Sequence, residues 1–437
     1  MVKVMKDSGV KWIGDIPEHW EVRKTKYILK ERNEKNDPIK SDNILSLTME
    51  QGVILYKDKK GGGNKAKEDL SAYKLAYPND IVINSMNVVA GSVGLSNYFG
   101  CVSPVYYMLY SDSNEISINY YSNLFQSKTF QLSLMGLGNG IMMKESSNGK
   151  LNTIRMRIPM DKLKNVLLPV PPQSEQKKIV DFLGEKITHI DSIIEKTKQS
   201  IEEFKKYRKA LITETVTKGL NTNVKMKDSG IKWIGEIPGH WEVSRIKYLI
   251  EFEPGKTELL EKNINCTFLP MEKLRTGKMN VDTEVLVEEV YSGYSYFKEK
   301  DIVLAKVTPC FENGNIAIAE NLTNGIGFGT TEIFTIRPQK INTKFLFYRL
   351  QEQTFKEKGK STMYGVGGLK RVPGSFITNY KIGVPSPEEQ QQIVDYLDEK
   401  TTHIEHLIEN KGNMISQLEE YKKSMIYEYV TGKKEVE

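Results

Sequence analysis

The 437-residue chain writes one sentence twice. The stretch KDSGVKWIGDIPEHWEV begins at Lys6, and KDSGIKWIGEIPGHWEV begins at Lys227. Of the 22 positions pairing Lys6 through Tyr27 with Lys227 through Tyr248, 16 are identical. All four tryptophans, Trp12, Trp20, Trp233 and Trp241, fall in this block with His19 and His240. A second match has an offset of 214 rather than 221. It pairs RIP at Arg157 with RVP at Arg371, runs through PVPPQSEQKKIVDFLGEKITHID and GVPSPEEQQQIVDYLDEKTTHIE, and ends at Thr217 and Thr431. Between these blocks, residues 28–156 and 249–370 resemble each other only loosely. A repeat of this kind means two copies of one structural unit. The chain must therefore build a shared frame around a variable centre, and do so twice.

The second shared block predicts a long helix in each copy. In the second copy Ser386, Pro387 and Glu389 form a capping-box start. Apolar residues then alternate at spacings of four and three. They are Leu183, Ile187, Ile190, Ile194, Ile201, Phe204 and Leu211 in one copy, and Leu397, Ile404, Ile408, Ile415, Leu418 and Met425 in the other. This is a heptad seam, interrupted by polar residues at equivalent places, Thr197/Lys411 and Arg208/Lys422. A seam of roughly 45 residues, about 67 Å of helix, cannot bury itself. The other copy is its natural partner, and an antiparallel pair would place two globular domains at opposite ends.

The centres are of another kind. NDIVINSMNVVAGSVGLSNYFGCVSPVYYMLY and KDIVLAKVTPCFENGNIAIAENLTNGIGFGTTEIFTI are β-branched and aromatic runs broken by Gly, Asn and Pro. They predict short strands with tight turns. INYYSNLFQSKTFQLSL and INTKFLFYRLQEQTFKEK predict one helix each. The tryptophans of the opener are expected to pin the first strand of each domain against its core. The fold class is thus α+β: two similar α+β domains separated by two long antiparallel coiled-coil helices, with an internal pseudo-twofold repeat. The boundaries are a first domain 1–172, a first long helix 173–218, a second domain 219–386, and a second long helix with a C-terminal tail 387–437.

Chemistry is harder to find. EKGKST at Glu357 ends like a phosphate-binding loop, but Thr354 stands where the first glycine is required. GLGNGI at Gly136 and GVGGLK at Gly365 lack the third glycine of a dinucleotide turn. The only Pro-Pro, Pro171-Pro172, is not part of an adenine-methyltransferase motif. Four of the five histidines pair off between the frames, and His403 and His406, one helical turn apart, have no third ligand. Asp80 and Asp301 read as turn residues before a strand. Cys101, Cys266 and Cys310 are odd in number and contain no Cys-x-x-Cys, which argues against a disulfide framework or structural zinc and fits a reducing compartment. No apolar run is long enough to span a membrane and no apolar signal core follows Met1, so a cytoplasmic protein is expected. A net charge of +6 permits nucleic-acid binding without demanding it. No catalytic residue and no metal site is assigned.

The duplicated frame, the divergent centres, and long helices entered through P-x-x-x-EQ (PPQSEQ at Pro171, SPEEQ at Ser386) together resemble the specificity subunit of type I restriction–modification enzymes. The KWIG-IP-HWEV opener and DIVINSMNVVAGSVGLSNYFGCVSPVYY in the first centre add to the likeness, which covers essentially the whole chain. The resemblance implies that each centre is a target-recognition domain reading half of a bipartite sequence in double-stranded DNA. It implies that the helices act as a ruler and dock two modification (methyltransferase) subunits, and that restriction (endonuclease/translocase) subunits join them in a prokaryotic cytoplasm. The chain itself would be non-catalytic and hold no cofactor, with S-adenosylmethionine, ATP and Mg on the partner subunits. Candidate DNA contacts are polar residues in loop-like stretches of the centres. In the first they are Lys57, Lys60, Asn64, Lys65, Asn84, Ser85, Asn87, Ser146, Asn148 and Lys150. In the second they are Lys273, Arg275, Lys278, Lys306, Thr308, Asn313, Tyr364 and Lys370. Two other readings compete: a coiled-coil adaptor that binds proteins only, and a self-contained nuclease or methyltransferase.

Overall fold

The computed structural model describes residues 4–49, 51–59, 66–140, 156–221, 223–259, 261–365 and 368–436. Two compact units divide the chain: Met1–Thr197 with Asn413–Glu437, and Lys198–Gly412. The long helices run Gln173–Lys218 and Pro387–Val430, so each unit takes the first part of one helix and the last part of the other.

The opener folds the same way in both units. In the first, Met5–Asp7 pairs antiparallel with Asp15–Pro17; in the second, Met226–Asp228 pairs with Glu236–Pro238. Short polar side chains close the turn on their own backbone, as Asp and Ser do readily. The Asp7 and Asp228 carboxylates accept from the amides of Gly9 and Gly230, both at 2.9 Å. The Ser8 and Ser229 hydroxyls accept from the amides of Val10 and Ile231. Gly14 and Gly235, at φ +66° and +69°, return the chain to the second strand through a conformation that costs a side chain about 1–2 kcal/mol.

Trp20 and Trp241 are buried and lead directly into the next strand, as expected. That strand, Glu21–Lys24 or Glu242–Arg245, pairs with Leu167–Val170 or Lys381–Val384 just before a long helix. The other two tryptophans diverge. Trp12 packs edge-on against Phe130 with ring centres 5.1 Å apart, whereas Trp233 is 41% exposed and does not pin the core. Where the first unit has Val166 the second has Tyr380, whose ring takes the contact with Phe355 and leaves Trp233 on its outer side.

The centre of each unit is a four-stranded sheet in one order. It is Lys30–Arg32, Tyr106–Tyr110, Ile81–Asn84, Val93–Leu95 in the first, and Ile250–Phe252, Ile333–Pro338, Ile302–Ala305, Ile316–Ile318 in the second. Asp80 and Asp301 turn the chain into the third strand of these orders, accepting from the amides of Tyr77 and Lys298. Both are buried and paired with arginine, but Arg32 comes from the first strand of the order and Arg337 from the second. Burial still pushes the Asp80 carboxyl up, against the downward pull of Arg32. The second unit adds a sheet of Glu284–Leu286, Asn265–Leu269, Ile326–Gly329 and Ser295–Lys298, with its middle pair parallel. In its place the first has, among its described residues, the ribbons Leu45–Thr48/Gly52–Leu55 and Lys74–Ala76/Gly100–Val102, with a parallel bridge from Ile44 to Cys101.

Each helical stretch of the centres is two helices rather than the one expected: Ile118–Gln126 then Lys128–Ser133, and Thr343–Arg349 then Gln353–Ser361. Ser127 and Glu352 adopt extended backbone at the breaks. The Gln131 side chain donates to the carbonyls of Phe125 and Gln126, which lose their helical partners there.

The repeated EQ pair anchors each long helix. Glu175 Oε1 lies 2.6 Å from His19 Nε2, and its Oε2 accepts from Trp20 Nε1 at 2.8 Å. Glu389 Oε2 meets His240 Nε2 and Trp241 Nε1 at 2.8 and 3.0 Å. Ser386 Oγ accepts from the Glu389 amide, but the Glu389 carboxylate turns to the domain, so the capping box is half made. Gln176 and Gln390 accept from the amides of Ser117 and Asn342, the N-caps of the centre helices, both at 2.8 Å.

The far ends of the helices are gripped too. In the first unit the Tyr120 hydroxyl donates to Val430 O at 2.6 Å; in the second, Arg349 Nη1 donates to the equivalent Val216 O at 3.3 Å. Gly432 and Gly219, at φ +69° and +76°, close on Trp20 and Trp241. Each buried tryptophan thus sits where one long helix begins and the other ends.

Within each unit the helix segments run antiparallel. In the first, Phe182 meets Tyr429 and Asp191 meets Lys422; in the second, Phe204 lies under Lys411 and Arg208 meets Glu405. The polar seam positions Arg208 and Lys422 hold equivalent cross-helix ion pairs, of 3.2 and 2.6 Å. Leu183, Ile187, Ile190, Ile194, Ile415, Leu418 and Met425 share the first core, and Leu211 and Leu397 the second. Ile404 is buried, while Ile201, Phe204 and Ile408 are half-buried. At their far ends the helices bury Ile212 and Val216, or Ile426 and Val430. There a globular core covers a second face that a two-helix seam does not use.

Candidate nucleic-acid interface

The central strands Ile81–Asn84 and Ile302–Ala305 end in equivalent loops. In the first unit the loop is tied locally: the Asn84 side chain accepts from the Met86 amide, and Asn87 N donates to Asn84 O. Asn87 and Met86 are exposed. Ser85 is not available to a ligand, because it is fully buried with its hydroxyl donating to Val105 O at 2.7 Å. Lys57 lies exposed in the short turn Tyr56–Asp58. Lys60, Asn64, Lys65, Ser146, Asn148 and Lys150 lie outside the described residues.

The second unit gathers more of the candidates. Lys306 follows the central strand and its ammonium lies 5.1 Å from the Phe334 ring centre. Thr308 Oγ1 accepts from the Lys370 amide and donates to Gly368 O, stitching residues 306–308 to the loop before Arg371. Val307 and Tyr364 each bridge to Arg371. Asn313 joins from the other side through its carbonyl, which accepts from Thr276 Oγ1 in the turn between Arg275 and Lys278. Lys306, Thr308, Asn313, Arg275, Lys278, Tyr364 and Lys370 thus belong to one loop system. Lys273 does not offer its charge there, because its ammonium is paired with Asp282.

A cleft of about 290 Å³ opens in this loop system, lined by Lys306, Thr331, Glu332, Phe334, Tyr364, Arg371, Val372 and Gly374. Tyr364 is 62% exposed at its rim. Glu332 and Arg371 make a two-pronged pair at 3.0 and 2.7 Å. The Arg371 guanidinium holds the Glu332 carboxyl below its ordinary range. Sequence reasoning missed this pair, although Arg371 stood in the repeated R-x-P. A fixed guanidinium beside a lysine and an exposed tyrosine offers donors and a stacking face to a base edge.

A second signal was also missed. Lys356 lies against the loop at Gly314, and its ammonium is pushed down by burial and then by Lys209 and Arg208. In the first unit Lys128 donates to Val89 O beside the 84–92 loop and is pushed down by burial and then by Lys423. Lys209 and Lys423 are equivalent in the repeat. Each loop therefore has a partly buried lysine beside it, while Lys423 pairs with Glu420 and Arg208 with Glu405. Among the described residues no group of three or more His, Cys, Asp or Glu could hold a metal ion. Among them, too, no helix is long and apolar enough to cross a membrane.

The sequence profile described as the type I restriction modification DNA specificity domain matches residues 238–420. The putative type I restriction enzyme MjaX specificity subunit of Methanocaldococcus jannaschii is 26% identical over 96% of this chain and 95% of its own length. Residues 238–420 thus match the type I DNA specificity domain, and the likeness to specificity subunits extends over the rest of the chain. The EcoAI specificity subunit of Escherichia coli is 37% identical over 36% of this chain, and the MjaVIII subunit of M. jannaschii 30% identical over 62%. The match spans 28% of the EcoAI subunit's length and 62% of that of MjaVIII. Two solved structures share the fold of this chain at 12% identity over 95% of it. One belongs to a study of complex assembly and conformational transition of the type I R-M system (TM-score 0.69, 98% of that chain). The other is the HsdS subunit of Thermoanaerobacter tengcongensis (TM-score 0.54, 98% of that chain).

Proposed function

We propose that this chain is the non-catalytic DNA-reading subunit of a type I restriction–modification enzyme. Each centre reads one half of a bipartite, asymmetric target in duplex DNA. The frame and helices bring two modification subunits, and the restriction subunits, to that target. One observation carries this reading. The frames agree down to the His–Glu–Trp anchor, while the equivalent loops at the ends of the central strands read Asn84, Ser85, Met86, Asn87 in one unit and Ala305, Lys306, Val307, Thr308 in the other. A machine that uses one geometry to read two different half-sites needs that combination. An asparagine amide suits adenine, and a lysine suits the acceptors of guanine.

Each half alone binds weakly in this account. One good bidentate contact discriminates by about 1–3 kcal/mol, and tethering two readers makes the second binding event intramolecular. A net charge of only +6 fits a subunit whose partners supply much of the phosphate contact. S-adenosylmethionine, ATP and Mg then act on the partner subunits, in the prokaryotic cytoplasm. The test is co-expression with a cognate modification subunit, followed by mapping of N6-methyladenine in host DNA. A two-part motif with a fixed gap, absent when the modification subunit is expressed alone, is the expected result. A stable complex that methylates no such motif overturns the reading in favour of an adaptor.

A further inference from the structure

We propose that each unit also carries a basic–aromatic groove that docks an acidic segment of a protein partner, one copy of the partner per frame. The proposal rests on the reading above, in which that partner is the modification subunit.

In the second unit the groove has a volume of about 420 Å³, and Ser229, Gly230, Val243, Arg245, Tyr248 and Lys381 are among its lining residues. It lies between the opener turn and the strand pair Glu242–Arg245/Lys381–Val384. Tyr248 is 60% exposed, with the Lys247 ammonium 5.1 Å from its ring centre. The first unit repeats the arrangement: Tyr27 is 69% exposed, with the Lys26 ammonium 5.1 Å from its ring centre. Ser8, Gly9, Val22 and Tyr27 are identical to their second-unit equivalents, and Lys24 stands for Arg245.

Among the described residues neither the Tyr27 nor the Tyr248 hydroxyl has a hydrogen-bond partner. Their rings are mostly in water, and among the described residues no carboxylate pairs with Lys24, Lys26, Arg245, Lys247 or Lys381. Two copies that have drifted apart in their centres still keep the same exposed tyrosine beside Lys26 or Lys247, with a cation at Lys24 or Arg245, although Leu167 stands where the second unit has Lys381. The feature therefore does something twice. An exposed apolar and aromatic patch rimmed by charge is the pattern of a protein contact, in which tyrosine often carries the binding energy. The unpaired cations select carboxylates in the incoming segment.

Strand register separates this groove from the reading loops. The turn Thr25–Tyr27 enters the central sheet at Lys30, opposite Tyr110 and the Ile81 end of the central strand. The reading loop leaves from the Asn84 end of that strand. In the second unit Ile246–Tyr248 enters at Ile250, towards the Ile302 end, and Lys306 follows Ala305 at the other. Each unit can therefore hold a partner at one end of its sheet while the other end faces a ligand.

The test uses the full chain with Tyr27→Ala, Tyr248→Ala and the double substitution, titrated with the cognate modification subunit and read by mass photometry. Thermal melting checks that these surface changes leave the fold intact. Each single variant is expected to bind one partner copy as wild type does and the other at least tenfold more weakly, and the double variant to lose both. Lys24→Glu and Arg245→Glu should follow the same pattern. Variants that all keep two copies within twofold of wild-type affinity, while still methylating the bipartite target, overturn the groove and leave the functional reading standing. Unchanged partner binding with weakened non-specific DNA binding assigns the groove to phosphates and overturns it as well. A wild-type chain that binds no modification subunit overturns the functional reading and the groove together.

Discussion

Arg349→Met separates two ways of capping the same helix end. In the second unit Arg349 caps Val216 O and pairs with Glu352 at 2.6 Å, with both side chains at most 3% exposed. Glu352 also accepts from the Tyr380 hydroxyl at 2.9 Å. Removing the cation leaves a buried carboxylate with one neutral donor and a bare carbonyl at the helix end. Breaking a buried pair in this way costs about 3–5 kcal/mol. In the first unit Tyr120→Phe removes one neutral hydrogen bond from Val430 O and leaves that carbonyl unsatisfied, at about 1–3 kcal/mol. Hydrogen exchange reads both ends in one experiment. Amides in the last turns before Lys218 should exchange a hundred- to several-thousand-fold faster in Arg349→Met, at about 1.4 kcal/mol per tenfold. Those before Val430 should change less in Tyr120→Phe. Adding Glu352→Gln to Arg349→Met should recover about half of the loss, because an amide is far cheaper to bury than a carboxylate and still accepts from Tyr380. Exchange that is unchanged in Arg349→Met, or a double variant no better than the single, would refute the reasoning.

Three further outcomes follow from the same geometry. Gly432→Ala should destabilise by about 2–5 kcal/mol in chemical denaturation, since its Cβ would sit 2.5 Å from Pro17 Cδ at φ +69°; Gly184→Ala, with nothing within 4 Å in an exposed helix, should gain about 1 kcal/mol. The Glu332 carboxyl is lowered in the fold, so its pairing with Arg371 contributes above the ordinary glutamate range and is lost as pH falls through and below it; exchange of the loop 368–372, corrected for intrinsic pH effects, should be flat from pH 8 to about 5 and rise below about 4, and Glu332→Gln should remove that rise. Asn87→Ala and Lys306→Ala should each relax base preference in one half-site only, by about 1–3 kcal/mol or five- to 150-fold in a methylation competition assay.

Much of the frame is legible in the sequence because its signals are local. The heptad spacing from Leu183 and Leu397 leads to helices at Gln173–Lys218 and Pro387–Val430, and the repeat itself leads to two similar units. What lay hidden depends on contacts distant in sequence. Nothing near Glu175 says that its carboxylate will leave the helix cap for His19 and Trp20, more than 150 residues away. Trp12 and Trp233 look alike until the bulk at Val166 or Tyr380 decides which ring reaches a phenylalanine. The interface was legible only as stretches. Composition marked the loops around Asn84 and Lys306, but could not tell that Ser85 turns inward, that Lys273 is neutralised by Asp282, or that Arg371 and Glu332 frame a cleft. Polar loop residues look the same to composition whether they serve the scaffold or a ligand.

The central claim is that one repeated frame presents two independent readers. Exchange of residues 28–156 for the equivalent segment of a relative with a different target, followed by methylome sequencing in the presence of the modification subunit, tests it most directly. The account predicts a motif in which one half changes, while the other half and the gap stay as they were. A motif changed in both halves, or changed in neither while methylation continues, contradicts it.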